Sequence, residues 1–202
     1  RARGLGDVYK RQLDALRKNG QIERTIIVFT SDHGDLCGEH GRLNKGVPYE
    51  GSSRIPFLIY TPGKIKGGTV VNEALSCIDF MPTVMNLMDT KYDQKVNGRD
   101  ASALFTGSKS DWNDMAFIRS TSAGKPWLCA VSDRYKLVYS DMGDPWLFDL
   151  EKDPDEMTNL LSDTVSKKVV TTMTYQLRSY SKLQKAPYAD LPDIKSAMDK
   201  VL

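Results

Sequence analysis

Both histidines of the chain fall within one stretch, Ser31 to Gly46, together with Asp32, Asp35, Glu39 and Lys45. Asp32 and His33 are adjacent, so a carboxylate and an imidazole can reach one cation where the chain leaves regular structure. Lys45 stands twelve positions beyond His33 at the far end of a glycine-bounded loop, with Glu39 and His40 between. An ammonium beside a metal site is what a tetrahedral oxyanion such as sulfate or phosphate needs. Two cations on one such group stabilise charge on the transferring group and on the leaving oxygen. Gly34, Gly38, Gly41 and Gly46 let the backbone turn in ways closed to other residues and let it approach a ligand closely. A lone Asp-His-Gly would read as a turn cap. Its combination with Lys45, Glu39 and His40 favours a site.

The elements that must position this loop are legible on either side of it. Asp7 to Asn19 reads as a helix, with Val8, Leu13 and Leu16 on one side and Gly20 as its stop. The apolar periodicity before Leu13 is weak. Thr25 to Thr30 is a short β-branched run of the kind found in parallel strands buried on both faces. The loop opens where this run ends, and in open α/β sheets ligands bind outside the carboxyl ends of the strands. A second strand, Ile55 to Tyr60, closes on the turn Thr61-Pro62-Gly63. A helix follows near Asp79 to Met88, with Asp79 as N-cap and Phe80, Val84, Leu87 and Met88 as its apolar face. A glycine-rich segment with a short helix spans Gly98 to Gly107.

From about residue 111 the pattern changes. Strand-like runs recur at Met115–Arg119, Trp127–Val131, Tyr135–Tyr139 and Trp146–Asp149, separated by turn signals, which indicates a small antiparallel sheet. Asp153-Pro154-Asp155-Glu156 suits the first turn of a helix. A final helix over about Ser162 to Lys182 carries Val165, Val169, Met173 and Leu177 on one face. The tail after Pro187 reads as a loosely held terminus. The class is α/β: part of a mainly parallel sheet over residues 1–110, then an antiparallel sheet with a packed helix over 111–202. The first 12 residues begin without an initiator Met or signal pattern, and the chain is expected to be the C-terminal part of a longer protein, with residues 1–12 suspected as non-native.

Composition excludes several classes. The chain has 202 residues, 28 Lys and Arg against 26 Asp and Glu, 40% hydrophobic and 27% charged residues. The charge balance argues against a nucleic-acid partner, and the apolar content against wholesale disorder. No apolar run is long enough for a transmembrane helix. Three cysteines, Cys37, Cys77 and Cys129, are too few and of the wrong parity for a disulfide scaffold, although one pair could form.

The motifs resemble those of the sulfatase family, within the alkaline-phosphatase-like superfamily. The shared residues are Ser31-Asp32-His33-Gly34, Gly38-Glu39-His40-Gly41, Lys45-Gly46, Tyr49-Glu50 and Arg54-Ile55-Pro56. Downstream, Ile78 to Thr83, Gly98-Arg99, Tyr135-Lys136-Leu137, Leu147 to Leu150, Asp153-Pro154 and Asn159-Leu160 also match. The resemblance covers roughly residues 13–180. It implies that Asp32 is a ligand of a divalent cation, usually Ca²⁺, and that His33 stands at the next ligand position. Imidazole is a poor Ca²⁺ ligand, so His33 either binds another metal or contacts the sulfate or the nucleophile. Lys45 would act catalytically and bind the sulfate. His40 would approach the substrate or hold the loop. Arg54 would orient neighbouring acids from behind the site or be an ordinary strand-entry charge. Glu39, Glu50 and Asp35 read as structural or solvated.

One departure bears on mechanism. The family's formylglycine arises from a Cys or Ser in a Cys/Ser-x-Pro/Ala-x-Arg motif, and no cysteine here has that context. The upstream metal-ligand aspartates are also absent. The resemblance therefore implies the C-terminal portion of an enzyme acting on a sulfated small molecule or glycan, with the formylglycine in a missing N-terminal half and the chain alone inactive. The alternatives are a phosphonate monoester or phosphodiester hydrolase of the same superfamily, and a non-catalytic truncated module. Substrate specificity is expected in loops near Thr61–Asn72 and Ser120–Trp127. A periplasmic, secreted or lysosomal setting and an oligomer formed through an exposed sheet edge are further expectations.

Overall fold

The computed structural model describes residues 3–121, 124–141, 143–162 and 166–202. Helix α1 (Arg3–Lys18) ends at Gly20, whose φ of 65° is the left-handed stop expected of it. Strand β1 (Ile27–Thr30) leads into the motif-bearing loop. A single helical turn, α2 (Glu50–Ser53), then precedes strand β2 (Phe57–Tyr60).

The two strands pair with each other antiparallel, with Ile27 opposite Tyr60 and Thr30 opposite Phe57. This corrects the expectation of parallel strands buried on both faces. A short apolar run carries no information about strand direction. The exposure also alternates along β2: Phe57 and Ile59 are half-buried, whereas Leu58 is 62% exposed. The inner Phe57 ring meets Phe80 edge-on at 6.0 Å and Phe105 at 5.7 Å.

Those partners lie on helices α3 (Phe80–Leu87) and α4 (Ser102–Thr106). Ser76, not Asp79, caps the segment. A short 3-10 turn over Cys77–Asp79 opens it, and an Asp79 carboxylate oxygen accepts the Ser76 N–H at 2.9 Å. The other oxygen of buried Asp79 accepts the Arg99 N–H at 2.7 Å. Gly98 is required here, because a Cβ would run into the Ile78 carbonyl.

The C-terminal sheet has the order β3 (Ala116–Arg119), β4 (Trp127–Val131), β5 (Tyr135–Ser140) and β6 (Trp146–Asp149), all antiparallel neighbours. Helix α5 (Lys167–Gln184) docks on it through Val170, Met173 and Leu177. The expected face residue Val165 lies outside the described residues. The tail is not loose: Pro192 starts helix α6 (Pro192–Asp199), which buries Ile194 and Met198 against the same core. Those two apolar residues are four apart, enough for one buried helical stripe. Leu137, Leu147, Leu177, Ile194 and Met198 are essentially inaccessible. Each contributes about 1.5–3 kcal/mol by burial.

The acidic stretch 153–156 is a turn and starts no helix. Glu156 adopts φ 53° and points into the protein. No described helix is long and apolar enough to cross a membrane.

Candidate functional site

The loop after β1 folds back on itself. Its rungs are the Leu36 N–H to the Asn44 carbonyl at 3.0 Å and the Gly38 N–H to the Arg42 carbonyl at 2.9 Å. Buried Leu36 plugs its inside. Three non-glycine residues here take left-handed backbone: Cys37 (φ 48°), His40 (φ 53°) and Asn44 (φ 76°). The loop ends meet at α2. The Gly34 N–H donates to the Ser52 carbonyl at 3.0 Å and the Gly46 N–H to the Ser52 hydroxyl at 3.1 Å. Gly34 crosses α2 so closely that a Cβ would overlap the Gly51 carbonyl. From the C-terminal sheet, the Trp127 indole N–H reaches the Gly46 carbonyl at 3.1 Å.

Asp32 and His33 do come together. One Asp32 oxygen accepts the His33 backbone N–H at 2.9 Å, and the other lies 3.4 Å from His33 Nε2. His33 Nδ1 lies 2.8 Å from the Gly34 carbonyl. A carbonyl only accepts, so Nδ1 carries a proton. In the neutral ring Nε2 is then a lone pair on the side of the Asp32 carboxylate, so both atoms are acceptors open to a shared donor or cation. The Asp32 side chain is 84% exposed, so it is open to a further group. Among the described residues no cluster of three or more His, Cys, Asp or Glu side chains could hold a metal. Asp32 and His33 bring together two donor atoms, fewer than a Ca²⁺ site uses. The carboxylate oxygen suits Ca²⁺ and the imidazole suits a transition metal better.

The remaining expected site residues are spread around the loop. Lys45 is exposed and on the Asp35 side. The Asp35 carboxyl is held below its ordinary pKa first by the Cys37 backbone N–H at 3.0 Å and the Cys37 thiol at 3.4 Å, with a smaller contribution from the Lys45 charge. His40 stacks on Tyr49 at 3.7 Å between ring centroids, and Tyr49 stacks in turn on Trp146 at 5.5 Å. Its ring is thus engaged with the loop's own support. Arg54 is 78% exposed and pairs with Glu50 at 3.5 Å, an acid behind the loop. Two hollows lie elsewhere on the surface. One, of about 270 Å³, is bounded by His40, Tyr49, Trp146 and Met157; the other, of about 830 Å³, lies between the β5–β6 turn and helices α5 and α6. Asp32, His33 and Lys45 line neither.

Sequence reasoning missed a buried charge cluster behind α2. Lys136 on β5 is fully buried, and its ammonium meets Glu50 at 2.5 Å, Glu156 at 2.8 Å and the Pro48 carbonyl at 2.9 Å. Burial works against its charge, but the neighbouring Cys129, Glu50 and Glu156 together outweigh it and lift the Lys136 pKa above its ordinary value. Glu156 also accepts the Glu50 backbone N–H at 2.6 Å. The only sequence signal was an acid-rich turn and a lysine in an otherwise apolar strand.

The family described as N-sulphoglucosamine sulphohydrolase, C-terminal, matches residues 38–183. An arylsulfatase of Clostridium perfringens is 37% identical over 163 residues, covering 78% of this chain and 34% of that protein. Arylsulfatase K of Xenopus laevis is 33% identical over 189 residues, covering 87% and 34%. The solved structure of BT4656 in complex with its substrate D-glucosamine-2-N,6-O-disulfate is 28% identical at a TM-score of 0.75, covering 92% of this chain and 39% of that one. The phosphonate monoester hydrolase of Agrobacterium radiobacter is 27% identical at a TM-score of 0.68, covering 86% and 38%. The chain spans about a third of the length of the curated relatives it matches. The fold is that of the alkaline-phosphatase-like sulfatases, and the chain belongs to the sulfatase family, of which it represents a C-terminal part.

Proposed function

We propose that this chain supplies one wall of the active site of an enzyme that hydrolyses sulfate esters, with a formylglycine nucleophile carried elsewhere in the protein. The observation that carries the reading is the Asp32–His33 pair at the end of β1, where a carboxylate oxygen and an imidazole nitrogen face each other at 3.4 Å with one of them freely exposed. A divalent cation bound there, Ca²⁺ by the preference of the carboxylate, would supply Lewis-acid charge to the ester. Asp32 and His33 would hold their part of that site. Lys45 would bind a sulfate oxygen and offset charge on the leaving oxygen. His40 and Arg54 would act from behind, through Tyr49 and Glu50. A sulfated sugar is the substrate class that the ligand of the BT4656 structure supports.

The test uses the complete polypeptide that contains this chain. Lys45→Met is expected to lower kcat/KM for an aryl sulfate by about 10²–10³, and Asp32→Asn to weaken metal binding in a calorimetric titration. The 202-residue chain alone should turn over no sulfate ester. Unchanged turnover in Lys45→Met would remove the proposed role of the loop. The likeness to a phosphonate monoester hydrolase supports a second reading, and faster turnover of an aryl phosphonate than of the matched sulfate would favour it.

A further inference from the structure

We infer that Lys136 is a positioning residue for the motif-bearing loop, acting through α2 at a remove of about 90 residues in sequence. The inference rests on the sulfatase reading only for what the loop does, since the clamp itself is a matter of geometry. The Lys136 ammonium grips the chain on either side of Tyr49: the Pro48 carbonyl just before α2 at 2.9 Å and the Glu50 carboxylate at the start of α2 at 2.5 Å. Glu156 completes the grip by meeting the ammonium at 2.8 Å and accepting the Glu50 N–H at 2.6 Å. Two residues beyond Glu50, Ser52 holds both ends of the loop, Gly34 through its carbonyl and Gly46 through its hydroxyl. Asp32 and His33 lie just before the first anchor, and Lys45 just before the second.

The separation between the Asp32–His33 pair and Lys45 is therefore set by one buried residue, Ser52, whose place is set by one buried cation. A cation without exposure cannot exchange its partners for water, so the grip is rigid in a way that a surface ion pair is not. Trp127 adds a second tie from the same sheet to Gly46 but none to Gly34.

The test is amide hydrogen exchange on the complete polypeptide that contains this chain, and it needs neither metal nor substrate. Its failure would leave the chemistry assigned to Asp32 and Lys45 intact, and loss of that chemistry would leave the clamp intact. Lys136→Met strands two carboxylates, so Lys136→Met/Glu156→Gln is measured beside it. In whichever variant folds, the Gly34 and Gly46 amides are expected to exchange about tenfold faster or more, while amides of β4 and β5 change by less than about threefold. Ser52→Ala should release Gly46 and spare Gly34, whose acceptor is a backbone carbonyl. Wild-type protection at Gly34 and Gly46 in the double variant, or loss in step with the β4 and β5 amides, overturns the inference.

Discussion

The hydroxyl chain behind the sheet makes an asymmetric prediction. Tyr139 on β5 is fully buried, and its hydroxyl lies 2.6 Å from Thr174 Oγ1 on α5. Thr174 Oγ1 donates its one hydrogen to the Val170 carbonyl at 2.7 Å, so Tyr139 must be the donor to Thr174. Tyr139→Phe removes that donor and leaves Thr174 still bonded, which should cost about 1 kcal/mol, the net worth of one hydrogen bond. Thr174→Val removes the acceptor and leaves a buried phenol O–H with no partner, which should cost about 1–3 kcal/mol. The double variant strands nothing except a carbonyl already bonded within the helix. It should therefore be less destabilised than the two single changes summed, by about 1 kcal/mol. Urea unfolding gives the three differences, and in thermal melts each kcal/mol should appear as about 2–4 °C. The reasoning fails if Tyr139→Phe is the costlier single change, or if the two changes simply add.

Four further outcomes are expected. Gly34→Ala pushes a methyl into the Gly51 carbonyl and should destabilise by about 1–3 kcal/mol, as overpacking does, in the same urea assay. A thiol reagent should modify Cys37 and Cys77 in the native protein but Cys129 only on unfolding, with Cys37 slowed near neutral pH because its bond to Asp35 raises its pKa. Burial pushes the Cys129 thiol up to about 12 from 9.0. The unfolded chain therefore loses that proton first, and stability should fall by about 1.4 kcal/mol per pH unit across that window in wild type but not in Cys129→Ala. The Arg134 guanidinium holds the Asp149 carboxyl below its ordinary 3.8. The stability lost in Asp149→Asn should thus be constant above about pH 5 and shrink as the pH falls below 4.

The C-terminal sheet was legible because each strand ends at a turn signal, and β4 and β6 match their expected spans. Strand direction in the β1–β2 ribbon was not, because the short apolar runs Ile27–Phe29 and Phe57–Tyr60 look alike in either orientation. Helix α6 escaped notice because six of its eight residues offer no apolar stripe, and only the pair Ile194 and Met198 gives it a core face. The adjacency of Asp32 and His33 is written in the sequence. The arrangement of Lys45 and His40 is not, since it depends on how a loop with left-handed turns at Cys37 and Asn44 closes. Lys136 illustrates the same limit. In a strand covered on both sides, a lysine between Tyr135 and Leu137 is buried whichever way it points, and only the distant acids of Glu50 and Glu156 make that tolerable.

The backbone of the loop has a thermodynamic meaning of its own. An L-residue with a Cβ pays about 1–2 kcal/mol for left-handed geometry, and asparagine least. Glycine sits at Gly38, Gly41 and Gly46, where the same sense of turn costs nothing, yet Cys37 and His40 occupy equivalent conformations beside them. The segment is a sprung one, its tension carried by neighbours that hold it shut. Glycine at position 37 should relax it without altering its course, whereas glycine at position 40 would release the tension and discard the ring that stacks on Tyr49.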